Sequence, residues 1–245
     1  MDPARIAALL QPFLSSAEVR PSSKPHSDAG KGSGEEAAVL SAAQLQSIST
    51  YIDILLRWNA RINLTAIRDP EDIVPRHFGE SLFAARHLYP VTSSVSPVTP
   101  GVRVLDSLAD VGSGAGFPGL PIKLWVPQIA LTLVESNHKK ATFLREVARA
   151  LTLTDINIQT TRAETLAATF GTVTLRAVER FETILSAASA LVAPKGRLAL
   201  LISSAQLKQA HATLPNFSWL DPTPIPLSRS RVLAIAQRRL DQDSK

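Results

Sequence analysis

The chain has 245 residues, with 26 Lys+Arg against 21 Asp+Glu, a formal net charge of +5, 45% hydrophobic residues and no cysteine. That length suits one large domain, or one domain with a small appendage, and it can bury a core without metal or disulfide support. The lack of cysteine excludes disulfide scaffolds, thiolate zinc sites, iron–sulfur clusters and cysteine nucleophiles, and the apolar share excludes wholesale disorder.

In chain order, residues 1–40 read as a short helix at about 3–15 followed by a flexible linker, because 18–39 is rich in Ser, Pro, Gly and charge. The start carries Asp2 where a secretory leader needs only positive charge, and no apolar run approaches the ~20 residues of a membrane span. The expectation is a cytoplasmic monomer with no membrane segment and no metal. A helical segment, 41–100, comes next. Ser41 and Gln44 form a capping box, and Leu45, Ile48, Ile52, Leu55 and Leu56 recur at helical spacing to about Asn59. Trp58 reads as core, and Asn63 and Thr65 as residues that bridge the helix–loop junction through side-chain-to-backbone bonds. Asp69-Pro70-Glu71 starts another helix, which Pro75 offsets so that the helix proper begins near Arg76. Thr92 to Pro100 reads as a Ser/Thr/Pro loop.

From 101 to 245 the pattern changes. Strands are predicted near 107–111, 130–135, 155–160, 172–175 and 197–202, with helices at about 118–126, 138–150, 163–169 and 178–191. Such alternation predicts an α/β, Rossmann-like domain with a mostly parallel sheet. Pro222, Pro224 and Pro226 precede a last strand, Val232 to Gln237, which predicts a hairpin-like pair and an antiparallel strand at the sheet's edge. Up to residue 159 acids and bases balance, 15 against 15, while 160–245 holds 11 Lys/Arg against 6 Asp/Glu. Arg229, Arg231, Arg238 and Arg239 make part of that excess, which suits either an RNA backbone contact or a charge-guarded edge strand.

The most informative segment is Asp110-Val111-Gly112-Ser113-Gly114-Ala115-Gly116-Phe117-Pro118-Gly119. A strand runs into glycines at alternating positions, where a ligand can approach the main chain without meeting a Cβ. Glu135, closing the second strand, is placed to accept both hydroxyls of a ribose. Gly114 to Gly119 satisfies the dinucleotide pattern G-x-G-x-x-G, and Asp110-x-Gly112-x-Gly114-x-Gly116 resembles motif I of class I S-adenosylmethionine methyltransferases. Pro118 favours the second, since a pyrophosphate at a helix N-terminus needs the N–H that proline lacks.

Trp58-Asn59, Asn63 to Ile67, His77-Phe78, Ser81-Leu82, the glycine loop through Pro121, Glu135-Ser136, Lys139-Lys140, Phe143-Leu144, Arg162-Ala163-Glu164 and Arg176-Ala177-Val178 follow in the order of a known family. Over roughly 41–202 the chain resembles the RsmG/GidB family of bacterial 16S ribosomal RNA guanine-N7 methyltransferases. The resemblance implies a class I fold with S-adenosyl-L-methionine as cofactor and 16S rRNA or the small ribosomal subunit as partner. It implies cofactor contacts at Gly112, Gly114, Gly116, Phe117 and Glu135, at Ala163 and Glu164 beside the adenine, and at Arg176 near the methionine end. Guanine N7 carries a lone pair and no proton, so the reaction needs alignment rather than a general base. Arg176 is then the best catalytic candidate, through the cofactor carboxylate or the base's O6. Candidate RNA contacts are His77, Lys139, Lys140, Arg229 and Arg231, although His77 also suits a packing role and the lysines a solvated face. The chain departs from the family's usual pattern at Glu80, where Asp is usual, at Gly171, again for Asp, and at Leu201 to Ser204, where Lys-Gly often follows strand five. The other readings are an NAD-dependent oxidoreductase on the same topology and a non-catalytic RNA-binding relative.

Overall fold

The computed structural model describes residues 1–15, 39–90, 106–176 and 181–239. The predicted linker up to residue 38 and the Ser/Thr/Pro loop lie outside these, as does Val178.

Helix α1 (Pro3–Leu14) begins where Asp2 accepts the Arg5 N–H at 3.1 Å, with Pro3 supplying a pre-set φ in the first turn. It docks through Ile6, Leu10 and Phe13 onto the helices that follow, and the missing Cβ of Gly79 makes room for the Phe13 ring. Helix α2 (Ala42–Asn59) carries the predicted capping box at Ser41 and Gln44. The next stretch differs from expectation. Instead of a helix starting afresh near Arg76, a short α3 (Pro70–Ile73) runs through a π-helical segment, Val74–Gly79, directly into α4 (Glu80–Leu88). Pro75 has no N–H to give, and the wider turn accommodates it without ending the helix.

The sheet runs β3-β2-β1-β4-β5-β8-β6, with the short β7 (Thr223–Pro224) also on β8. Strands β1 (Ser107–Val111), β2 (Ala130–Val134), β3 (Ile156–Gln159), β4 (Phe170–Arg176) and β5 (Val192–Ser203) are parallel. Strand β8 (Arg231–Arg238) returns antiparallel to β5 and pairs on its other side with β6 (Phe217–Trp219) and β7, so it lies one strand in from the edge. The chain thus supplies an antiparallel side to the sheet, as expected, with β6 as its outermost strand. Helices α5 (Gly119–Trp125) and α6 (His138–Ala150) share one core with α1, α2 and α4, while α7 (Phe181–Ala190) and α8 (Ser204–Thr213) border a second. The helix predicted at 163–169 is only a single 3₁₀ turn, Ala163–Thr165.

The strand order reverses between β1 and β4. At such a switch point the loops after two neighbouring strands diverge to opposite faces and leave a crevice at the strands' carboxyl ends.

Candidate active site

The crevice holds two adjoining hollows of about 490 and 220 Å³ that share Gly112, Glu135, Ser136 and Ile184. Leu64, Thr65, His77, Phe117, Lys140 and Arg176 contribute to the larger; Arg162, Ala163 and Glu164 to the smaller.

The loop after β1 is pinned from below. The Gly112 and Ser113 N–H groups both donate to Val134 O, at 2.9 and 3.2 Å, and the Ser113 hydroxyl donates to Asp110 O. Asp110 is buried and faces inward, accepting from the Thr174 hydroxyl at 2.8 Å and from Gly119 N–H at 3.2 Å. Burial raises its carboxyl to about 7 against the pull of those donors. Three glycines of the loop have positive φ, 69° at Gly112, 55° at Gly114 and 85° at Gly116. They serve different ends. A Cβ on Gly114 would meet only Gly112 O, at 3.7 Å, and the residue lines the larger hollow. A Cβ on Gly116 would collide with the Tyr51 hydroxyl and Leu120. Gly116, expected beside the cofactor, instead lets the loop close onto α2 and lies outside both hollows.

Tyr51, which the sequence pattern does not single out, donates its hydroxyl to Ala115 O at 2.5 Å. Its ring stacks on Phe117 at 5.4 Å and 4°, and His77 stacks on Phe117 at 4.8 Å and 19°. Phe117 therefore sits within an aromatic pile, 6% exposed, with its remaining surface at the hollow. Trp58 packs edge-on against Phe143 and donates to Glu146 at 2.8 Å. Of the predicted junction bridge, Thr65 takes part, its hydroxyl accepting Ile67 N–H at 3.2 Å, while Asn63 is exposed and Asn59 instead accepts from Leu64 and Thr65 N–H and donates to Thr65 O.

Glu135 lies against the glycine turn. Its Oε2 accepts Gly114 N–H at 2.9 Å and its Oε1 accepts Asn137 N–H at 2.7 Å. Each carboxylate oxygen has two lone-pair sites, so one on each remains for a ligand.

Arg176 ends β4 and is almost wholly buried. It donates to Arg76 O at 2.7 Å, to His77 Nδ1 at 3.1 Å and to Glu80 Oε2 at 3.3 Å. A guanidinium only donates, so Nδ1 is an acceptor and the His77 proton resides on Nε2, which donates to Thr65 Oγ1 at 2.8 Å. His77 is thus a neutral strut between Arg176 and the 62–67 loop while also forming a wall of the hollow. Burial, then the neighbouring Arg176 and Arg76, lower it to about 3. From its ordinary value of 6.5 down to about 3 the unfolded chain binds a proton that the folded chain refuses, so stability drops as pH falls through that window. His77→Asn keeps an acceptor near Nδ1 and cannot titrate. Urea unfolding from pH 7 to pH 4 should show the variant losing less stability than the wild type; parallel curves would contradict a buried neutral imidazole.

Glu80, one of the departures from the resembled pattern, is 2% exposed and is shared by three arginines: Arg76 at 3.7 Å, Arg176 at 3.3 Å, and Arg231 in a hydrogen bond. Burial raises its carboxyl, with Arg176 and Arg76 opposing. Arg231, expected as a surface RNA contact, therefore points inward to Glu80. Arg229 is exposed outside the hollows, and of the two lysines at the start of α6 only Lys140 reaches the larger one. Among the described residues no group of three His, Cys, Asp or Glu side chains forms a metal site, and no helix is long and apolar enough to cross a membrane.

This arrangement fits an adenosyl cofactor better than a dinucleotide. The crevice is of small-molecule size, with Cβ-free backbone on one side and a carboxylate with spare lone pairs on the next strand. A pyrophosphate would need the first amides of α5, yet Pro118 has none and Gly119 N–H is committed to Asp110.

The comparisons agree with the geometry. In overall fold, the magnesium protoporphyrin IX methyltransferase of Synechocystis PCC 6803 superposes with a TM-score of 0.55 at 15% identity, covering 82% of this chain and 99% of that one. The ribosomal RNA small subunit methyltransferase G of Xylella fastidiosa (strain 9a5c) is 39% identical over 196 residues, 77% of this chain and 84% of its own length. The protein of the same name from Chloroflexus aggregans is 35% identical over 209 residues, 80% and 82% of the two chains. The model of one family, described as rRNA small subunit methyltransferase G, matches residues 44–221. With the glycine turn, its carboxylate and the buried arginine all inside that match, the chain belongs to the rRNA small subunit methyltransferase G (GidB) family.

Proposed function

We propose that the protein transfers a methyl group from S-adenosyl-L-methionine to N7 of a guanosine in 16S ribosomal RNA. The observation that carries this reading is the crevice at the β1/β4 switch point, with Glu135 folded onto the Gly112–Gly116 turn and Arg176 opposite. In it, Glu135 holds the ribose diol, the smaller hollow with Ala163 and Glu164 takes the adenine, and Gly112 and Gly114 leave space for the methionine half. The bound cofactor supplies an electrophilic methyl on sulfonium. The protein's own contribution is placement. His77 and Glu80 fix Arg176, which is left with N–H donors to aim at the cofactor carboxylate or at O6 of the target base. His77 is no general base, because its free lone pair is taken by Arg176 and its pKa is far below neutrality. That suits attack by N7, which has no proton to lose.

Calorimetry should show uptake of S-adenosylhomocysteine and no uptake of NADH, and labelled S-adenosylmethionine should transfer methyl to 16S rRNA or to small subunits. Binding of NADH alone would favour the oxidoreductase reading, and cofactor uptake without transfer the non-catalytic one.

A further inference from the structure

Glu80 lies beneath a trail of arginines leading out of the crevice. Arg176, at the hollow, has a side chain 9% exposed; Arg231 is 19% exposed and Arg76 46%. Arg229 is exposed, two residues before Arg231. Arg231 pairs in register with Ser203, at the carboxyl end of β5, so it lies two strand spacings from Arg176, roughly 10 Å along the same edge. Three guanidiniums share the one carboxylate of Glu80, which leaves positive charge for an anion.

The turn that carries Arg229 is built firmly. Ile225 is buried, its N–H donates to Arg231 O at 3.1 Å, and Ser228 N–H donates to Ile225 O at 3.2 Å. The Ser228 hydroxyl accepts Arg231 N–H, and Ser204 N–H donates to Ser230 O at 3.0 Å, tying the turn to the end of β5. At its tip Leu227 is held at φ 57° with 74% of its surface exposed, an apolar side chain presented beside a free arginine.

We propose that Arg76 and Arg229 seat the phosphate backbone of the RNA strand carrying the target guanosine, with Glu80 and the inward-pointing Arg231 as the buried anchor that fixes the seat relative to Arg176. This rests on the rRNA methyl-transfer reading. Guanidinium forks match phosphate oxygens in pairs, and an anchored set loses little freedom on binding. Phosphate contacts fix register and carry no sequence information, so the seat positions the strand while the crevice selects the base.

The test uses the full chain with Arg76→Gln, Arg229→Gln and the double variant. Arg76 gives Arg176 only its carbonyl oxygen, which the substitution keeps. Each single change should weaken binding to a 16S rRNA transcript about 3–10-fold, and the double variant should lower the slope of log affinity against log salt by about 1.4, near 0.7 per lost contact. KM for rRNA should rise with kcat unchanged, and affinity for S-adenosylhomocysteine should match the wild type. Wild-type turnover together with an unchanged slope in the double variant overturns the seat alone. A fall in S-adenosylhomocysteine affinity at constant RNA affinity also overturns it, assigning the cluster to the cofactor. A wild type that transfers no methyl to rRNA overturns the parent reading, and the seat with it.

Discussion

Glu135→Gln is expected to weaken S-adenosylhomocysteine binding on the order of a hundredfold while the fold survives. The carboxylate already accepts one backbone N–H on each oxygen, from Gly114 and Asn137. What remains is one lone-pair site per oxygen, which matches a diol that donates twice. Glutamine keeps one oxygen and replaces the other with an NH₂, which meets either Gly114 N–H or Asn137 N–H and accepts nothing. One charge-assisted bond to the ligand is lost, at about 1.5–3 kcal/mol, and the other becomes neutral and weaker, so about 3 kcal/mol in all is reasonable. Isothermal calorimetry measures it directly. Affinity within threefold of the wild type would mean that the sugar lies elsewhere, and the assignment of the two hollows would go with it.

Glu80→Gln is expected to cost stability on a larger scale, about 3–5 kcal/mol. The side chain is 2% exposed and neutralises guanidiniums that are themselves largely buried, Arg176 and Arg231. Removing one partner of a buried ion pair leaves charge without compensation, which costs far more than the intact pair contributes. At about 2–4 °C per kcal/mol for a chain of this size, the melting temperature should fall on the order of 10 °C. Arg176 would also lose one of its three anchors, so cofactor affinity should decline in parallel. A melting temperature within 2 °C of the wild type would contradict the buried-anchor account.

These two residues show how far the sequence was legible. Glu135 was readable because its role is local: a strand ends, an acid follows, and its distance from the glycine loop is set by one βαβ unit. The glycine turn was legible for the same reason, although the sequence does not separate a glycine that faces ligand from one that faces protein. Gly114 and Gly116 look alike in one dimension, and only the approach of Tyr51 from α2, 65 residues earlier, distinguishes them. Glu80 is the opposite case. Its partner Arg76 lies one helical turn away, but Arg176 and Arg231 arrive from strands 96 and 151 residues further along the chain. No periodicity carries that information.

The elements follow a similar division. Strands β1 and β2 and helices α2 and α6 have strong apolar patterns or firm caps and lie close to where those signals put them. Helix α8 was not predicted, because it buries little besides Ala210 and has almost no apolar stripe. The signal it did offer was a capping box, Ser203 with Gln206, directly after the strand predicted to end at 202. At 163–169 the error ran the other way. Residues with fair helical propensity form one 3₁₀ turn, Ala163–Thr165, and the chain then runs extended from Leu166 toward β4 at Phe170, so local propensity did not decide the outcome.

The Arg231 placement is instructive for charge. A sequence count assigns it to the surface excess with Arg229, yet one side chain points into the protein and the other out of it. Two residues apart, they would share one face of a regular strand, but Arg229 lies in the turn ahead of β8, so net charge locates a basic edge without saying which residues are free to meet a ligand.

The central claim is methyl transfer to guanine N7 in small-subunit rRNA. Mapping N7-methylguanosine in 16S rRNA from cells with and without this gene tests it most directly. The account predicts one modified guanosine that disappears on deletion and returns with the wild-type gene, but not with the Glu135→Gln variant at limiting cofactor. An identical N7-methylguanosine map in both strains would contradict it.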